Sequence, residues 1–382
     1  MTAVWSAMDV RSPQERQPRL EMHILGVGAL GTVFANRLIR AGVPTTLILR
    51  PRTVSDRRVE ICKESKTVEI QVENLLYKDF PGTEKYEQSR AHFVGTDELE
   101  SLEENESLEN SKISRLLVLT KAHQAKNALE TIASQLSRGA LVFLLCNGGL
   151  ALHEELSKSN KLAHVHLVPG VTTYGAFRQP KSKHPLCAVN AGGTGENWFG
   201  LIEPSYARSP KISAEVKAAY DSTLKDLHKA KLGGIDESRN SAIIRRLWIK
   251  LGVNCVMNPH TALLKCTNGQ YLNQQASLKT IENVCNEVAK ISHYDPLCQP
   301  PLNAEELVSF ILEKVNRDNK SSMFQDICSS SPTEIDYLNA WIAKRSAEEG
   351  FDAMVNETLS NLVKICEEQY SLGCHERLYD YR

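Results

Sequence analysis

The sequence predicts an α/β fold in which a Rossmann-type N-terminal domain is followed by an all-helical C-terminal domain. Three observations carry this prediction. Gly26-Val27-Gly28-Ala29-Leu30-Gly31 stands between an apolar run and a helical pattern. Further short apolar runs, each closed by polar or glycine residues, fill the first half of the chain. From about residue 211 the strand patterns stop, and helical spacing continues to the end. With 382 residues and 42% hydrophobic content, two domains are expected. We place an N-terminal extension at 1–20, a dinucleotide-binding domain at 21–205 and a helical substrate and catalytic domain at 206–382.

The first strand ends through His23, Ile24 and Leu25, and from Ala29 the apolar Leu30, Val33, Phe34, Leu38 and Ile39 fall at helical spacing up to Gly42. In this G-x-G-x-x-G turn, Gly26 allows the tight bend and Gly28 lets the backbone approach a pyrophosphate. Gly31 lets the helix sit close to the strand, and the helix start offers N–H groups to the anion. The motif lies between a strand and a helix, which is the context that favours a dinucleotide site over a purely structural glycine turn. The second strand, TTLILR, ends at Arg50, with Arg52 close behind and no acid before Asp56. An acid there would accept from ribose hydroxyls, whereas a guanidinium suits a 2′-phosphate. The cofactor expected is therefore NADP(H); the alternative is a solvated surface arginine.

RLLVLTKA (115–122) and ALVFLLCNGGL (140–150) read as buried strands, ending in Lys121 and in Asn147-Gly148-Gly149. Ligands of a doubly wound sheet bind at such carboxyl ends. Residues 95–112 hold seven acids and read as a solvated insertion. The stretches 165–178 and 187–200 read as further strands with turns. In RRLWIKLGVNCVMNPHTALLKCTNG, Lys250, Asn254 and Asn258 are spaced by four, which aligns an amine and two carboxamides along one helix face. The rest of that helix is apolar, so these polar groups need partners, and a polar substrate would supply them. A lysine snorkelling to water beside capping asparagines is the other reading. Pro259 is expected to kink or end the helix just after Asn258.

Composition excludes several classes. Lys plus Arg is 45 and Asp plus Glu is 46, so no charge bias points to nucleic acid or a membrane surface. No apolar run reaches the length of a membrane span. The ten cysteines lack CxxC or paired spacing, which suggests reduced thiols and no zinc site. Residues 1–20 have no apolar signal core; Arg11, Arg16 and Arg19 are offset by Asp9 and Glu15, which favours the cytoplasm over a mitochondrial address.

The chain resembles the ketopantoate reductase family, the 2-dehydropantoate 2-reductases, from about residue 22 to 370. The motifs that carry the resemblance are ILGVGALGTVFANRL, LTKAHQ, CNGGLALHEEL, GVTTYGAFR, LWIKLGVNCVMNPHTALLKCTNG and SSMFQDICSSSPTEIDYLNAWIAKRSAEEG, in the family's order. The resemblance implies an active site in the cleft between the two domains. It implies that Lys250 is the proton donor, and that Asn254, Asn258, Asn268 and Ser322 bind substrate. Arg50, Lys121, Asn147, Ala176 and the turn Gly26 to Gly31 would contact NADP, and Glu334 would help hold it. Without the resemblance, Ser322 and Glu334 read as ordinary cap and surface residues. The implied reaction is NADPH-dependent reduction of ketopantoate to D-pantoate, a precursor of pantothenate and coenzyme A, with no metal. The chain departs from compact members by its N-terminal extension, its acidic insertion and a polar stretch near 203–240, and His260 stands where the family often has leucine. A reductase of another 2-keto acid, or a non-catalytic NADPH-binding sensor, remains an alternative. A homo-oligomer is compatible with the sequence, which does not determine it.

Overall fold

The pattern of strands and crossover helices folds as a doubly covered sheet. The structure, a computed structural model, describes residues 21–49, 67–74, 86–95, 112–178, 186–190, 195–202, 211–239 and 242–371. The strands are β1 (Met22–Leu25), β2 (Thr45–Leu49), β3 (Thr67–Asn74), β4 (Tyr86–Gly95), β5 (Ile113–Val118), β6 (Leu136–Leu144), β7 (His166–Thr172), β8 (Ala176–Arg178), β9 (Leu186–Asn190), β10 (Asn197–Phe199) and β11 (Ile235–Asp236). Among the described residues they form one sheet in the order β11-β10-β7-β6-β5-β1-β2-β4-β3-β9-β8. Its centre is parallel, and β3, β8 and β10 each run antiparallel to a neighbour. The chain crosses between central strands through α1 (Ala29–Arg40), α2 (Ala122–Thr131) and α3 (Gly149–Ser157).

The near-continuous apolar runs are explained by burial on both faces. In β6, Leu141 and Phe143 join the core that includes Val33 and Phe34 of α1. Val142 and Leu144 join the opposite core, with Leu129 of α2 and Leu152 of α3. The first core also takes Tyr220, Leu224 and Leu227 from α4 (Ala214–Lys229). This helix lies beyond the boundary expected near 205, yet its apolar side covers the sheet. After it, the two-residue strand β11 pairs with β10, inside the stretch where the sequence suggests helices alone.

The remaining elements are helices: α5 (Ala242–Leu264), α6 (Asn268–Leu272), α7 (Ser277–Ser292), α8 (Ala304–Lys314), α9 (Ser322–Cys328), α10 (Asn339–Glu348) and α11 (Met354–Ser371). They pack around α5, whose Ile243, Leu247, Trp248, Leu251, Cys255 and Val256 are buried. Pro259 does not end α5, which continues to Leu264. The missing N–H leaves the Cys255 carbonyl without its usual helical donor. Asn339 Nδ2 donates to that oxygen at 2.9 Å, so a tertiary contact replaces the lost bond. Cys146, Cys255, Cys266, Cys285, Cys298, Cys328 and Cys366 are free thiols. No helix among the described residues is long and apolar enough to cross a membrane.

Candidate active site at the junction of sheet and helices

The glycine turn is shaped by close approach on one side and open space on the other. Gly26 has φ +98°, and a side chain there would strike the backbone of Leu119 and Thr120. A side chain at Gly31 would strike the Gly26 carbonyl oxygen, so α1 can sit this close to β1 only with glycine. At Gly28, by contrast, an added Cβ meets nothing within 4 Å among the described residues. Gly28 caps α1 without a side-chain bond, and the first turn holds no acid. Val27, Ala29 and Leu30 are partly exposed beside this space. An anionic group fits here, since the helix start presents N–H donors to an unfilled approach. Ala176 opens β8 and packs against the core that α1 lines. Arg50 lies outside the described residues, as do 1–20 and most of the acidic insertion.

At the carboxyl ends of β5 and β6 the chain meets the helical half. β5 ends at Val118, so Lys121 is not in the strand; it stands at the N-terminal boundary of α2. Its ammonium pairs with Asp326 Oδ1 at 2.8 Å and donates to the Pro332 carbonyl at 2.8 Å. An ammonium has three protons, so one donor remains for another partner. β6 ends at Leu144, and Asn147 precedes the left-handed Gly148 (φ +66°), against which Tyr337 packs so closely that any Cβ would collide.

Glu334 closes the junction. Its Oε1 accepts from the Ala122 backbone N–H at 2.9 Å, and its Oε2 accepts from Asn147 Nδ2 at 2.9 Å. Asn147 Oδ1 in turn faces Asn254 Nδ2 on α5, at 3.5 Å. Because a carboxylate only accepts, the chain of bonds has one direction: both amides are oriented by Glu334. The residue is 7% exposed, and burial raises its pKa above the ordinary carboxylate range despite the two donors, with Asp326 adding to the rise and Lys121 opposing it.

Along α5 the expected polar face is present. Asn254 and Asn258 are buried, at 7% and 6% exposure, and Lys250 is partly exposed. Neither Lys250 nor the Asn258 carboxamide has a hydrogen-bond or ion-pair partner among the described residues, and burial lowers the Lys250 pKa below that of an ordinary lysine. Ser322 is exposed at the start of α9, whose cap is the preceding Ser321: its Oγ accepts from the Phe324 N–H at 3.1 Å and from Thr261 Oγ1 at 2.7 Å. Asn268 is less directly placed. Its Nδ2 donates to the Asn316 carbonyl at 2.9 Å, and its buried Oδ1 has no partner among the described residues. His260 is a packing residue: its ring stacks on Tyr271 at 4.7 Å and its Nδ1 lies 2.6 Å from the Val256 carbonyl.

The structure thus joins Asn147, Asn254 and Glu334 directly and sets Lys250 and Asn258 on the same helix face. It also adds residues that sequence reasoning passed over. Asp326 stands four positions after Ser322 in a motif already singled out, and Ala122 acts through its backbone, which leaves no side-chain signal.

Comparison with known proteins fits this architecture. The family model described as ketopantoate reductase PanE/ApbA matches residues 22–204, and the model of its C-terminal domain matches 242–367. A 2-dehydropantoate 2-reductase of Yersinia pestis is 31% identical over 259 residues, covering 67% of this chain and 75% of the relative. One of Saccharomyces cerevisiae is 26% identical over 383 residues, covering 90% of this chain and 93% of its own. Among solved structures, a ternary structure of D-mandelate dehydrogenase with NADH and anilino(oxo)acetate shares the fold at 20% identity, with a TM-score of 0.69 over 92% of this chain and 100% of the other.

Proposed function

The chain belongs to the ketopantoate reductase family and is an oxidoreductase that reduces 2-dehydropantoate; on this premise we propose that NADPH is its hydride donor and that the α5 face carries the reaction. The observation that carries this reading is the pair of groups on α5 with no partner among the described residues, the Lys250 ammonium and the Asn258 carboxamide, beside the bond chain Asn254–Asn147–Glu334.

The open approach at Gly28 and the start of α1 would hold the pyrophosphate, with Val27, Ala29, Leu30 and Ala176 alongside. Asn147, Glu334 and the remaining donor of Lys121 would hold the nicotinamide ribose. The preference for NADPH over NADH rests on Arg50 and on the absence of an acid before Asp56. When bound, the reduced nicotinamide supplies a hydride to the keto carbon. Negative charge then grows on the carbonyl oxygen, and Lys250 stabilises it and donates the proton. Burial, by lowering the Lys250 pKa, makes that proton easier to release than from an ordinary lysine. Asn254, Asn258 and Ser322 offer neutral donors to the carboxylate and carbonyl, fixing the keto carbon in place. Asn268 joins them through its Oδ1, which has no partner among the described residues and is an acceptor suited to a substrate hydroxyl.

The test is oxidation of NADPH on addition of ketopantoate, with a panel of other 2-keto acids and with NADH as the competing cofactor. Turnover of another keto acid at higher kcat/KM than ketopantoate moves the substrate assignment. No turnover with any, while NADPH still binds, supports a sensor instead.

A further inference from the structure

The Lys250 helix contains a proline that should break it, and the group that repairs the break belongs to the segment that carries Glu334. Pro259 cannot donate to Cys255, one residue from Asn254. Asn339, fully buried at the start of α10, donates one Nδ2 proton to the Cys255 carbonyl at 2.9 Å and the other to Asn356 Oδ1 at 2.9 Å. Asn356, also fully buried, is held by Glu287: its backbone N–H and its Nδ2 both donate to Glu287 Oε2, at 2.9 and 2.7 Å. The neighbouring Val355 N–H donates to Glu287 Oε1 at 2.9 Å. The network therefore has a fixed polarity from the Glu287 carboxylate through Asn356 to Asn339, and its last donor points at the gap in α5. Asn339 lies five positions after Glu334, across the single short turn Ile335–Tyr337.

We propose that Asn339 is a positioning residue for the reaction: by standing in for the missing N–H of Pro259 it fixes the turn that bears Asn254 and Asn258, in register with Glu334. It touches neither substrate nor cofactor. The proposal rests on the assignment of α5 as the substrate-binding helix. Loss of the Asn339 donor leaves a buried carbonyl unpaired beside Asn254, and the helix relieves this by shifting or opening at that turn. The effect falls on the alignment of the two asparagines, and less on Lys250, which lies more than one turn earlier.

The experiment compares the parent, Asn339→Leu, and Asn339→Leu combined with Pro259→Ala. The added alanine returns an N–H at position 259, which can close the helix on Cys255 without help from Asn339. Asn339→Leu is expected to raise the ketopantoate KM about tenfold while kcat changes less than about threefold. The double variant recovers most of that loss and also melts at a higher temperature than Asn339→Leu. If Asn339→Leu does not fold, recovery of soluble, folded protein in the double variant supports the proposal. A KM within twofold of the parent overturns it, and so does a defect in KM, melting or folding that Pro259→Ala leaves unchanged. Melting temperatures need no substrate. Failure of the parent to reduce ketopantoate therefore counts against the functional assignment alone, while the coupling between positions 259 and 339 is still decided.

Discussion

Replacing Glu334 with glutamine tests the directional bond chain at the junction. The two side chains match in size, but glutamine has one carbonyl oxygen where Glu334 presents two. The Ala122 N–H and Asn147 Nδ2 each use a separate oxygen, both at 2.9 Å. In the variant one of these donors faces an amide –NH2. Ala122 is fully buried, and an unpaired buried donor costs about 1–3 kcal/mol. Rotation of Asn147 relieves the clash only by turning its own oxygen toward the glutamine, which removes the acceptor that Asn254 faces at 3.5 Å. The expected outcome is a loss of about 1–3 kcal/mol at neutral pH together with weaker ketopantoate binding. Burial, the largest influence on Glu334, raises its pKa. The native state thus keeps a proton at pH values where the unfolded chain has lost it. The parent accordingly gains stability from this site as pH falls through the raised pKa toward the ordinary carboxylate value, and loses it as pH rises. The glutamine variant lacks this slope. Urea unfolding of both proteins at several pH values measures it. An unchanged midpoint at neutral pH with parallel pH dependences would refute the reasoning.

Lys250→Ala is expected to fold, bind NADPH and lose at least about 10²–10⁴-fold in kcat, and a turnover within a few-fold of the parent would sink the proton-donor role. Lys250→Arg keeps the charge but holds its proton too tightly, so it too should be badly impaired. In the parent, kcat should fall as pH rises through the lowered pKa of Lys250, earlier than for an ordinary lysine; a flat profile up to the normal lysine range contradicts this. Asn258→Ala and Ser322→Ala should each weaken ketopantoate binding by about 1.5–3 kcal/mol in calorimetry while NADPH binding is unchanged. Arg50→Ala should raise the KM for NADPH and leave NADH use nearly constant; equal use of both cofactors by the parent would remove the basis of the prediction.

What could be read in the sequence is what is written locally. The turn from Gly26 to Gly31 is legible because its glycines answer short-range demands, a positive φ and a helix pressed onto the strand before it. The polar face of α5 is legible because a period of four survives among apolar neighbours. Glu334 is a different case: its partners lie 212 and 187 residues away, and nothing near it betrays a buried carboxylate. Lys121 is visible as the end of a strand-like run, but its ion pair with Asp326 is not. Pro259 misleads for a related reason. The local rule that proline ends a helix is sound, but a donor 84 residues beyond Cys255 supplies what the rule assumes is missing. Two residues of β11 are too few to show a period.

The position of β11 also governs how the chain emerges during synthesis. Its parallel pairing with β10 means that β10 keeps an open row of backbone groups until residues 235 and 236 have been made. Phe143 and Phe199, which meet edge to face at 5.2 Å, wait for the same stretch, because Tyr220 stacks on Phe143 and reaches the Phe199 carbonyl. A chain truncated between about 205 and 213 therefore carries a nearly finished sheet with one sticky border and an uncovered aromatic face. Released fragments ending at 239 would be far less prone to clump than those ending at 205, although only 34 residues separate them.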